Sequence, residues 1–477
     1  MRRLRLQGLY RVLPARLQQA AIAAAGWRRY RERFGHHFER ALETLERNDR
    51  LSADGVRVDQ ERRLRESVTW AVKTVPYYAR LFQDEGLDPA SFTSLDDLPR
   101  MPTLDREMVR THQQELVSNA LSRFSMSRTQ TSGTTGTALT IVRNREALAW
   151  EYAAAWRQRR WFGAEPGDLF AAFGGQIVIS PEQSTPPFWR FDRARSRMIF
   201  SLYHMNEENL ASYAKEVSRT NYVFWQGYPS SIALLCDYLI RNDLDLGANR
   251  PRAIFTSSET LLDFHRELIE TATEAPIADR YGNTEISVSV VQCPSGNYHI
   301  DTEFGVIEID AHQETDEWVR GEVITTGLAN RAMPLLRYRT GDVATLMKKG
   351  TCPCGRTKPL LRWIDGRIED YVETPDGRKI GRMDHVFKDS RNVREAQILQ
   401  LSPGRIRVHL VKRQEFGPRD QENLERSFRR RLGNEMEIDY RDVAVIPRGP
   451  NGKFRAVISE YEPLVASGTT SFGTMGT

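Results

Sequence analysis

The sequence predicts a layered α/β protein with a large first domain, an attached β subdomain, and a small α+β domain after it. Three observations support this prediction. Beyond residue 161, short apolar runs alternate with helical patterns, as in layered α/β proteins. Residues 297–347 change to short β segments. After the polar segment "DGRIED", a strand–helix–strand pattern follows. We therefore place the large domain at 1–365 and the small domain at 366–463.

The individual elements follow in chain order. Residues 1–60 form a helical leader, in which 1–50 is helical, and 58–86 is predicted as a second helical stretch. "REALAWEYAAAWRQRRWF" continues as helix. "DLFAAFG", "NYVFWQG" and "RAIFTSS" are predicted strands, separated by the helices "SSIALLCDYLIRNDL" and "TLLDFHRELIETATE". In the small domain the strands "RIRVHLV" and "DVAVIPR" flank the helix "DQENLERSFRRRLG". Residues 464–477 lack periodicity and are predicted to be disordered.

Composition excludes several classes of protein. The 477 residues are 40% hydrophobic and 27% charged, which is ordinary for a globular chain. No apolar run approaches the length of a membrane-spanning helix, and no secretory signal is evident, so we expect a cytoplasmic protein. A net charge of +5, with basic residues spread among acids, argues against a nucleic-acid partner. Nine arginines fall within residues 1–33 and indicate either a membrane-surface or partner-binding helix, or a solvated helix on its own domain.

A stretch rich in threonine and glycine, "TSGTTG", is the first candidate site. It consists of Thr131, Ser132, Gly133, Thr134, Thr135 and Gly136. A phosphate-binding loop needs inward backbone N–H groups, glycines that permit the turn, and hydroxyls that donate further hydrogen bonds. The alternative is a flexible linker, because such clusters are usually loops. The chain also ends in a segment of similar composition, "ASGTTSFGTMGT", which we interpret as a loose tail.

The cysteines suggest a metal site. Cys293 and His299 lie six residues apart, and Cys352 and Cys354 lie two apart in "TCPCGRT". Three thiolates and one imidazole suit a closed, tetrahedral, structural Zn²⁺ site. The alternative is three separate reduced thiols and a surface histidine. Cys236 lies in an apolar helical pattern and is predicted to be a small core residue.

Four further motifs follow the threonine-rich stretch in a fixed order. They are "YGNTE" (281–285), "YRTGD" (338–342), "GRIED" (366–370) and "NGKFR" (451–455). The ordered set resembles the adenylate-forming superfamily of acyl-CoA synthetases, luciferases and adenylation domains. The finer resemblance, carried by "TVPYYARLF", "GYPSSIALL", "IFTSSETL" and "CPCGR", is to its phenylacetate–CoA ligase-like branch, especially the CapK-type capsular polysaccharide biosynthesis proteins. It covers residues 30–460 approximately.

The resemblance implies a role for each motif residue in binding ATP. The loop of Thr131 to Gly136 would hold the β- and γ-phosphates. In "YGNTE", which includes Gly282 and Asn283, Tyr281 would stack on adenine, Thr284 would contact the α-phosphate and Glu285 would bind Mg²⁺. The remaining implied nucleotide contacts are Ser258 and Glu259 at the adenine pocket, Asp342 at the ribose hydroxyls, and Arg367 at the ribose or phosphate.

The resemblance also implies two residues that act in the adenylating and thioester-forming half-reactions. Family members swing the small domain between an adenylating and a thioester-forming pose, and Glu369 falls at the hinge position. Lys453 matches the lysine that bridges the carboxylate and the α-phosphate during adenylation, a task that suits a mobile cation.

The resemblance thus implies ATP-dependent activation of a carboxylic acid as an acyl-adenylate, with release of pyrophosphate. Transfer of the acyl group to coenzyme A would follow. One alternative is transfer to an amine or hydroxyl, and another is a non-catalytic nucleotide-binding relative. Phe173, Phe224 and Tyr228 are predicted to line the substrate pocket and favour an aromatic or planar acid, with hydroxy acids also among the candidates. The sequence sets no oligomeric state.

Overall fold

The computed structural model describes residues 15–131, 139–180, 182–367, 372–376, 379–380, 383–387, 392–449 and 453–460. The start of the arginine-rich leader and the predicted tail at 464–477 lie outside the described residues. The chain divides into two compact units. The first contains the described residues up to 367 together with the segment 448–454, and the second contains the described residues of 369–447 and those after Phe454.

The helices of the first unit largely follow the predicted pattern. They are α1 (Ala15–Arg33), α2 (His36–Asn48), α3 (Ala53–Thr74), α4 (Pro76–Asp84), α5 (Arg106–Thr111), α6 (Arg145–Trp161), α7 (Glu207–Val217), α8 (Pro229–Arg241) and α9 (Asp263–Thr273). The two long predicted stretches are each interrupted. Gly35, at φ 130°, breaks the first between α1 and α2. Pro76 opens α4, because a proline at the first helical position ends the preceding helix.

A twelve-stranded sheet forms the centre of the first unit. Its strands are β3 (Phe170–Phe173), β4 (Trp189–Asp192), β5 (Arg197–Phe200), β6 (Phe224–Gly227), β7 (Ala253–Ser257), β8 (Ile277–Gly282), β9 (Ser289–Gln292), β10 (Tyr298–Ile300), β11 (Gly305–Glu314), β12 (Trp318–Gly327), β13 (Tyr338–Met347) and β14 (Leu360–Arg367). They lie in the order β11-β12-β13-β14-β10-β9-β8-β7-β6-β3-β5-β4. The middle strands β5, β3, β6, β7 and β8 are parallel to one another.

Helices cover both faces of this parallel part, which explains why β3, β6 and β7 are largely apolar. On one face, α7, α8 and α9 pack through residues such as Tyr213, Ile232 and Ile269. On the other face, α2 and α6 pack over Phe224 and Phe255. The predicted β segments after 297 form the antiparallel end of the same sheet. The layered α/β prediction is therefore confirmed.

A separate hairpin precedes the sheet in the chain. Its strands β1 (Met126–Gln130) and β2 (Thr140–Asn144) pair antiparallel, with Gln130 opposite Thr140.

The second unit is a small α+β structure. Its elements are the short strands β15 (Val372–Glu373) and β16 (Lys379–Ile380), the strands β17 (Val393–Ser402), β18 (Arg405–Lys412), β19 (Glu437–Asp442) and β20 (Val457–Ser459), and the helix α10 (Pro418–Leu432). The predicted strand "RIRVHLV" and the predicted helix are confirmed as β18 and α10. The predicted strand "DVAVIPR" is wrong, because pairing with β18 ends at Asp442. Beyond it Val445 is 69% exposed and only Ile446 of the apolar residues is buried, so the segment lacks the burial pattern of a strand.

Candidate functional site

The threonine- and glycine-rich stretch connects two paired strands. The Thr131 N–H donates to the Leu139 carbonyl at 2.9 Å, and the Leu139 N–H donates to Thr131 Oγ1 at 2.9 Å. Arg106 Nη2 also lies 3.4 Å from Thr131 Oγ1. The other predicted residues of the stretch lie outside the described residues: Ser132, Gly133, Thr134, Thr135 and Gly136. Thr131 and Leu139, which flank the part of the stretch outside the described residues, are thus joined to each other within the first unit.

Two motifs that are far apart in sequence meet at the carboxyl end of β8. Tyr281 Oη donates a 2.6 Å hydrogen bond to Asp342 Oδ2 on β13, and Asp342 is 6% exposed. Asp342 pairs across strands with Arg367, the last residue of β14. Of Arg367 only the backbone is described, and Glu369 lies outside the described residues. Gly366 next to it adopts φ 101°, where a Cβ would lie 3.2 Å from Thr260 Oγ1. Three predicted nucleotide-binding positions therefore adjoin one another.

The rest of "YGNTE" forms a tight turn between β8 and β9. Gly282 is exposed as the last residue of β8. The Asn283 side chain closes the turn, since its Oδ1 accepts the Ser287 N–H at 3.0 Å and its Nδ2 donates to Ser287 Oγ at 2.8 Å. Thr284 is half-buried in this turn. The Glu285 carboxylate is 5% exposed and accepts a 3.4 Å hydrogen bond from the Tyr338 hydroxyl.

Ser258 and Glu259, predicted at the adenine pocket, follow β7. Ser258 is exposed at φ 75°. The Glu259 carboxylate accepts backbone N–H groups from Phe454 at 2.7 Å and from Ser230, in the first turn of α8, at 3.4 Å. Burial raises the pKa of Glu259, although the hydrogen bond from Phe454 opposes this shift. These contacts of Glu259 were not evident from the sequence, and its role at adenine remains a prediction.

Lys453 lies in the segment 448–454, which belongs to the first unit. Its Nζ is 5.8 Å from the centroid of the Tyr228 ring. The Gly449 N–H donates to the Lys453 carbonyl at 2.9 Å. Tyr228 itself is half-buried, and burial raises the pKa of its hydroxyl. The predicted adenylation lysine and one predicted pocket residue are thus neighbours.

Core packing accounts for the other two predicted pocket residues. Phe173 and Phe224 are both fully buried. Phe173 stacks on Phe200 with centroids 4.7 Å apart, and Phe224 stacks on Phe170 at 4.5 Å. The structure therefore places both rings inside the hydrophobic core, where they fill the space between the sheet and its helices. Both residues lie in short apolar runs of the sequence, and such runs are as typical of buried core strands as of pocket walls.

The four predicted zinc ligands converge. The candidate donor atoms of Cys293, His299, Cys352 and Cys354 all lie within 4.8 Å of one another. Cys293 Sγ is 3.6 Å from Cys352 Sγ, and Cys354 Sγ is 3.3 Å from His299 Nε2. A tetrahedral zinc site with ordinary bond lengths places two sulfurs about 3.8 Å apart and sulfur and nitrogen about 3.6 Å apart. The residues present therefore fit a zinc ion.

A buried group of charges lies beside these cysteines and was not predicted. Arg157 on α6 is fully buried and pairs with Asp301 and, at 3.1 Å, with Asp49. Lys358 pairs with buried Glu303 at 2.8 Å and lies 3.6 Å from Asp49. Burial would lower the pKa of Arg157, but the nearby carboxylates outweigh it and raise that pKa. The network joins the α2–α3 connection, α6, the loop after β10 and the segment after Cys354.

Comparisons with known proteins bear on this arrangement. Residues 372–460 match the family model of the CapK C-terminal domain. The chain is 23% identical to Protein CapK from Staphylococcus aureus over 96% of this chain and 100% of that protein. It is 26% identical to a phenylacetate-coenzyme A ligase from Thermus thermophilus over 70% of this chain and 74% of that one. A crystal structure of 2-hydroxyisobutyryl-CoA ligase, in the postadenylation state with an acyl-AMP ligand, superimposes with a TM-score of 0.67 at 18% identity, covering 84% of this chain and 89% of that one.

The fold is therefore similar to that of the CoA ligases of the adenylate-forming class. The chain is a homologue of CapK and of the phenylacetate–CoA ligases, which confirms the resemblance carried by the motifs. Among the described residues, no helix is both long enough and apolar enough to cross a membrane.

Proposed function

We propose that the chain activates a carboxylic acid with ATP, forming an acyl-adenylate and pyrophosphate, and then transfers the acyl group to coenzyme A. The observation that carries this proposal is the meeting of Tyr281, Asp342 and the backbone of Arg367 at one end of the sheet. These residues come from three separate motifs, and their joint placement suits one nucleotide.

The geometry supports a specific division of tasks at the nucleoside. A carboxylate accepts two hydrogen bonds from a ribose diol, so Asp342 would hold the sugar. The hydrogen bond from Tyr281 orients that carboxylate and fixes the tyrosine ring, whose face would stack on adenine. Thr284, in the turn that follows, would donate to the α-phosphate.

The chemistry then requires two anions to approach each other. A carboxylate oxygen of the acid attacks the α-phosphorus of ATP, and the bond from that phosphorus to the pyrophosphate oxygen breaks. Lys453 would stabilise the charge that develops on both groups. In the second half-reaction a thiolate attacks the carbonyl carbon, and AMP leaves with the bonding electron pair.

Two metals fit the residues present. Magnesium would neutralise phosphate charge, and the buried Glu285 carboxylate offers the oxygen ligand that this cation prefers. A zinc ion at Cys293, His299, Cys352 and Cys354 would have four protein ligands and no open position, so it would be structural.

A second candidate acceptor is kept. The CapK relative spans 96% of the chain, and residues 372–460 match the CapK C-terminal domain. Neither match identifies coenzyme A as the acceptor, so transfer to an amine or a hydroxyl is the alternative.

The test is exchange of labelled pyrophosphate into ATP across a panel of aryl, hydroxy and amino acids. Exchange that depends on one class of acid supports acid activation. Product analysis with coenzyme A, and with amines or hydroxyl acceptors in its place, then identifies the second half-reaction. Nucleotide binding without exchange for any acid would instead support the non-catalytic alternative.

A further inference from the structure

A buried arginine on α6 has no carboxylate partner in the part of the chain that the structure describes. Arg159 on α6 is 7% exposed. Its guanidinium lies over the rings of Trp156, Phe224 and Phe255, with centroid distances of 4.7, 5.6 and 5.8 Å. Nη2 donates to Gln226 Oε1, and no described residue accepts a hydrogen bond from buried Nε. Among the residues that the structure describes, no carboxylate lies within ion-pair distance of it.

The neighbouring cations increase this imbalance. Arg280 on β8 donates from Nη2 to the Glu151 carbonyl at 3.4 Å, its buried Nε has no partner, and no described carboxylate pairs with it. Arg197 also lies near Arg159, but it pairs with Asp192 at 3.1 Å. Burial, with Arg280 and Arg197 nearby, lowers the pKa of Arg159 to about 9.

The same helix provides an internal comparison. Arg157, two residues earlier, is also buried, yet it pairs with Asp301 and Asp49. The opposite direction of its pKa shift reflects those carboxylates. Aromatic rings attract a cation more weakly than a carboxylate does, so the rings around Arg159 offset only part of its lost hydration. The positive charge of Arg159 is therefore only partly compensated by its described neighbours, and a bound anion would stabilise it.

Gln226 and Arg280 lie near the carboxyl ends of β6 and β8, and Arg159 contacts the first of them. Gln226 follows Phe224 by two residues and Arg280 follows Ala278 by two, so both side chains project from the face that α6 covers. Arg280 immediately precedes Tyr281, and Gln226 stands two residues before Tyr228. The carboxyl ends of parallel strands are where open α/β sheets bind ligands.

We propose that the acid activated by this chain carries a second anionic group, most simply a second carboxylate, and that Arg159 and Arg280 bind it. This inference rests on the proposed function and names its substrate class. The reacting carboxylate would face Lys453 and the nucleotide, and the distal anion would balance the charge of buried Arg159 and half-buried Arg280. Guanidinium groups suit this task because they bind carboxylates through two parallel hydrogen bonds.

The test uses acids that differ only at the distal end. Straight-chain and aromatic dicarboxylates are each compared with their monoamide and with the corresponding ω-sulfonate, by pyrophosphate exchange. In the unmodified chain we expect kcat/KM to be at least about tenfold higher for the anionic member of a pair than for the amide, as for a charge-assisted hydrogen bond. The sulfonate distinguishes a requirement for carboxylate from one for any anion.

Arg159→Met keeps the length and apolar packing of the side chain and removes its charge. We expect it to raise the KM for the dicarboxylate about 10- to 100-fold, with little change for the monoamide and in the KM for ATP. Arg280→Met should act in the same direction. Arg160→Met is the matched control, because Arg160 pairs with Glu46 and Glu165 at 2.8 Å and does not face the strands. If Arg159→Met does not fold, Arg159→Lys and Arg159→Gln replace it.

Binding of the dicarboxylate without ATP, followed by tryptophan fluorescence, separates this inference from the proposed function. Loss of binding in Arg159→Met together with no exchange for any acid would keep the anion site and refute acid activation. The inference would be overturned if the chain is most active with an acid whose distal end is neutral. It would also be overturned if Arg159→Met and Arg280→Met still prefer the dicarboxylate over its monoamide as strongly as the unmodified chain does.

Discussion

Lys453 has a distinct expected role at the scale of single residues. Its Nζ lies near the Tyr228 ring, at the carboxyl end of β6. Lys453→Ala should lower the rate of pyrophosphate exchange by a factor on the order of 10² or more, because it removes a cation from developing charge. Formation of thioester from supplied acyl-adenylate should be spared. Lys348→Ala, which removes a surface lysine paired with Glu314, is the control, and normal exchange in the Lys453 variant would remove it from the mechanism.

Glu285 is the second residue with a sharp test. Glu285→Gln keeps the shape of a buried side chain and loses its charge. The KM for ATP at limiting magnesium should rise about tenfold or more, as expected when a charged contact becomes neutral, while the melting temperature stays close to that of the unmodified chain. Exposed Glu317→Gln serves as the control. An unchanged magnesium dependence would place the metal elsewhere.

The sequence predicts the candidate roles of residues that lie in motifs. It does not predict which of these side chains form hydrogen bonds with one another. Tyr281 and Asp342 were separate predictions, and only the fold shows that one donates to the other. Phe173 and Phe224 illustrate the opposite outcome, since buried aromatic residues in strands have the same pattern as pocket residues. Arg159 was not singled out from the sequence, because the rings it contacts, Phe224 and Phe255, lie on strands that are distant in the chain.

Among the elements, the loop between β1 and β2 can be compared with the chain's own tail of similar composition. Thr134→Ala together with Thr135→Ala should raise the KM for ATP sharply, since two hydroxyl donors to phosphate are lost. Deletion of 464–477 should leave activity intact. Equal sensitivity of the two segments would contradict the assignment of the loop to phosphate binding.

The cysteine cluster joins β9, β10 and the segment before β14, and it predicts a link between metal and stability. Metal analysis should find about one zinc per chain, and Cys352→Ser or Cys354→Ser should lower the zinc content and the melting temperature together. Cys236→Ser is the matched control, because this thiol lies buried on α8 in a different part of the first unit. A zinc-free chain that is as stable as the zinc-bound one would rule out the structural site.

Elements were predictable wherever apolar periodicity or a helix signal was strong. The strands β3, β6 and β7 and the helices α8 and α9 fall where the sequence predicts them. One strand that was missed is β19, whose residues Ile438 and Tyr440 are only half-buried among charged neighbours. A strand at the edge of a small sheet needs few apolar residues, so the more apolar segment after it was the stronger pattern.

For the whole first unit, the buried charges around Arg157 predict a large effect on stability. Arg157→Met should lower the free energy of unfolding by about 3–5 kcal/mol, because it leaves Asp301 buried and unpaired. The partly exposed pair of Arg160 and Glu46 should contribute only about 0–1 kcal/mol, so Arg160→Met is the control. Denaturant unfolding measures both values, and equal values would show that the buried network is not needed for stability.

The layered α/β architecture could be predicted from the sequence, because alternating strands and helices restrict a chain to few topologies. The internal balance of charge could not. Asp49, Arg157, Asp301 and Lys358 come from distant parts of the chain, and each appears as an ordinary charged residue in its own segment. The placement of 448–454 within the first unit likewise depends on long-range packing.

The pairing of Asp342 with Arg367 has a consequence for genetics. Asp342 is the candidate ribose ligand, and Arg367 is the last strand residue before the chain passes to the second unit. An allele that distorts β14, for example by replacing Gly366, would disturb both positions at once. Such alleles would be pleiotropic. They could not separate an effect on nucleotide binding at Asp342 from an effect on the chain segment that connects the two units. Alleles on the β1–β2 loop, which is not part of this sheet, would be the informative class.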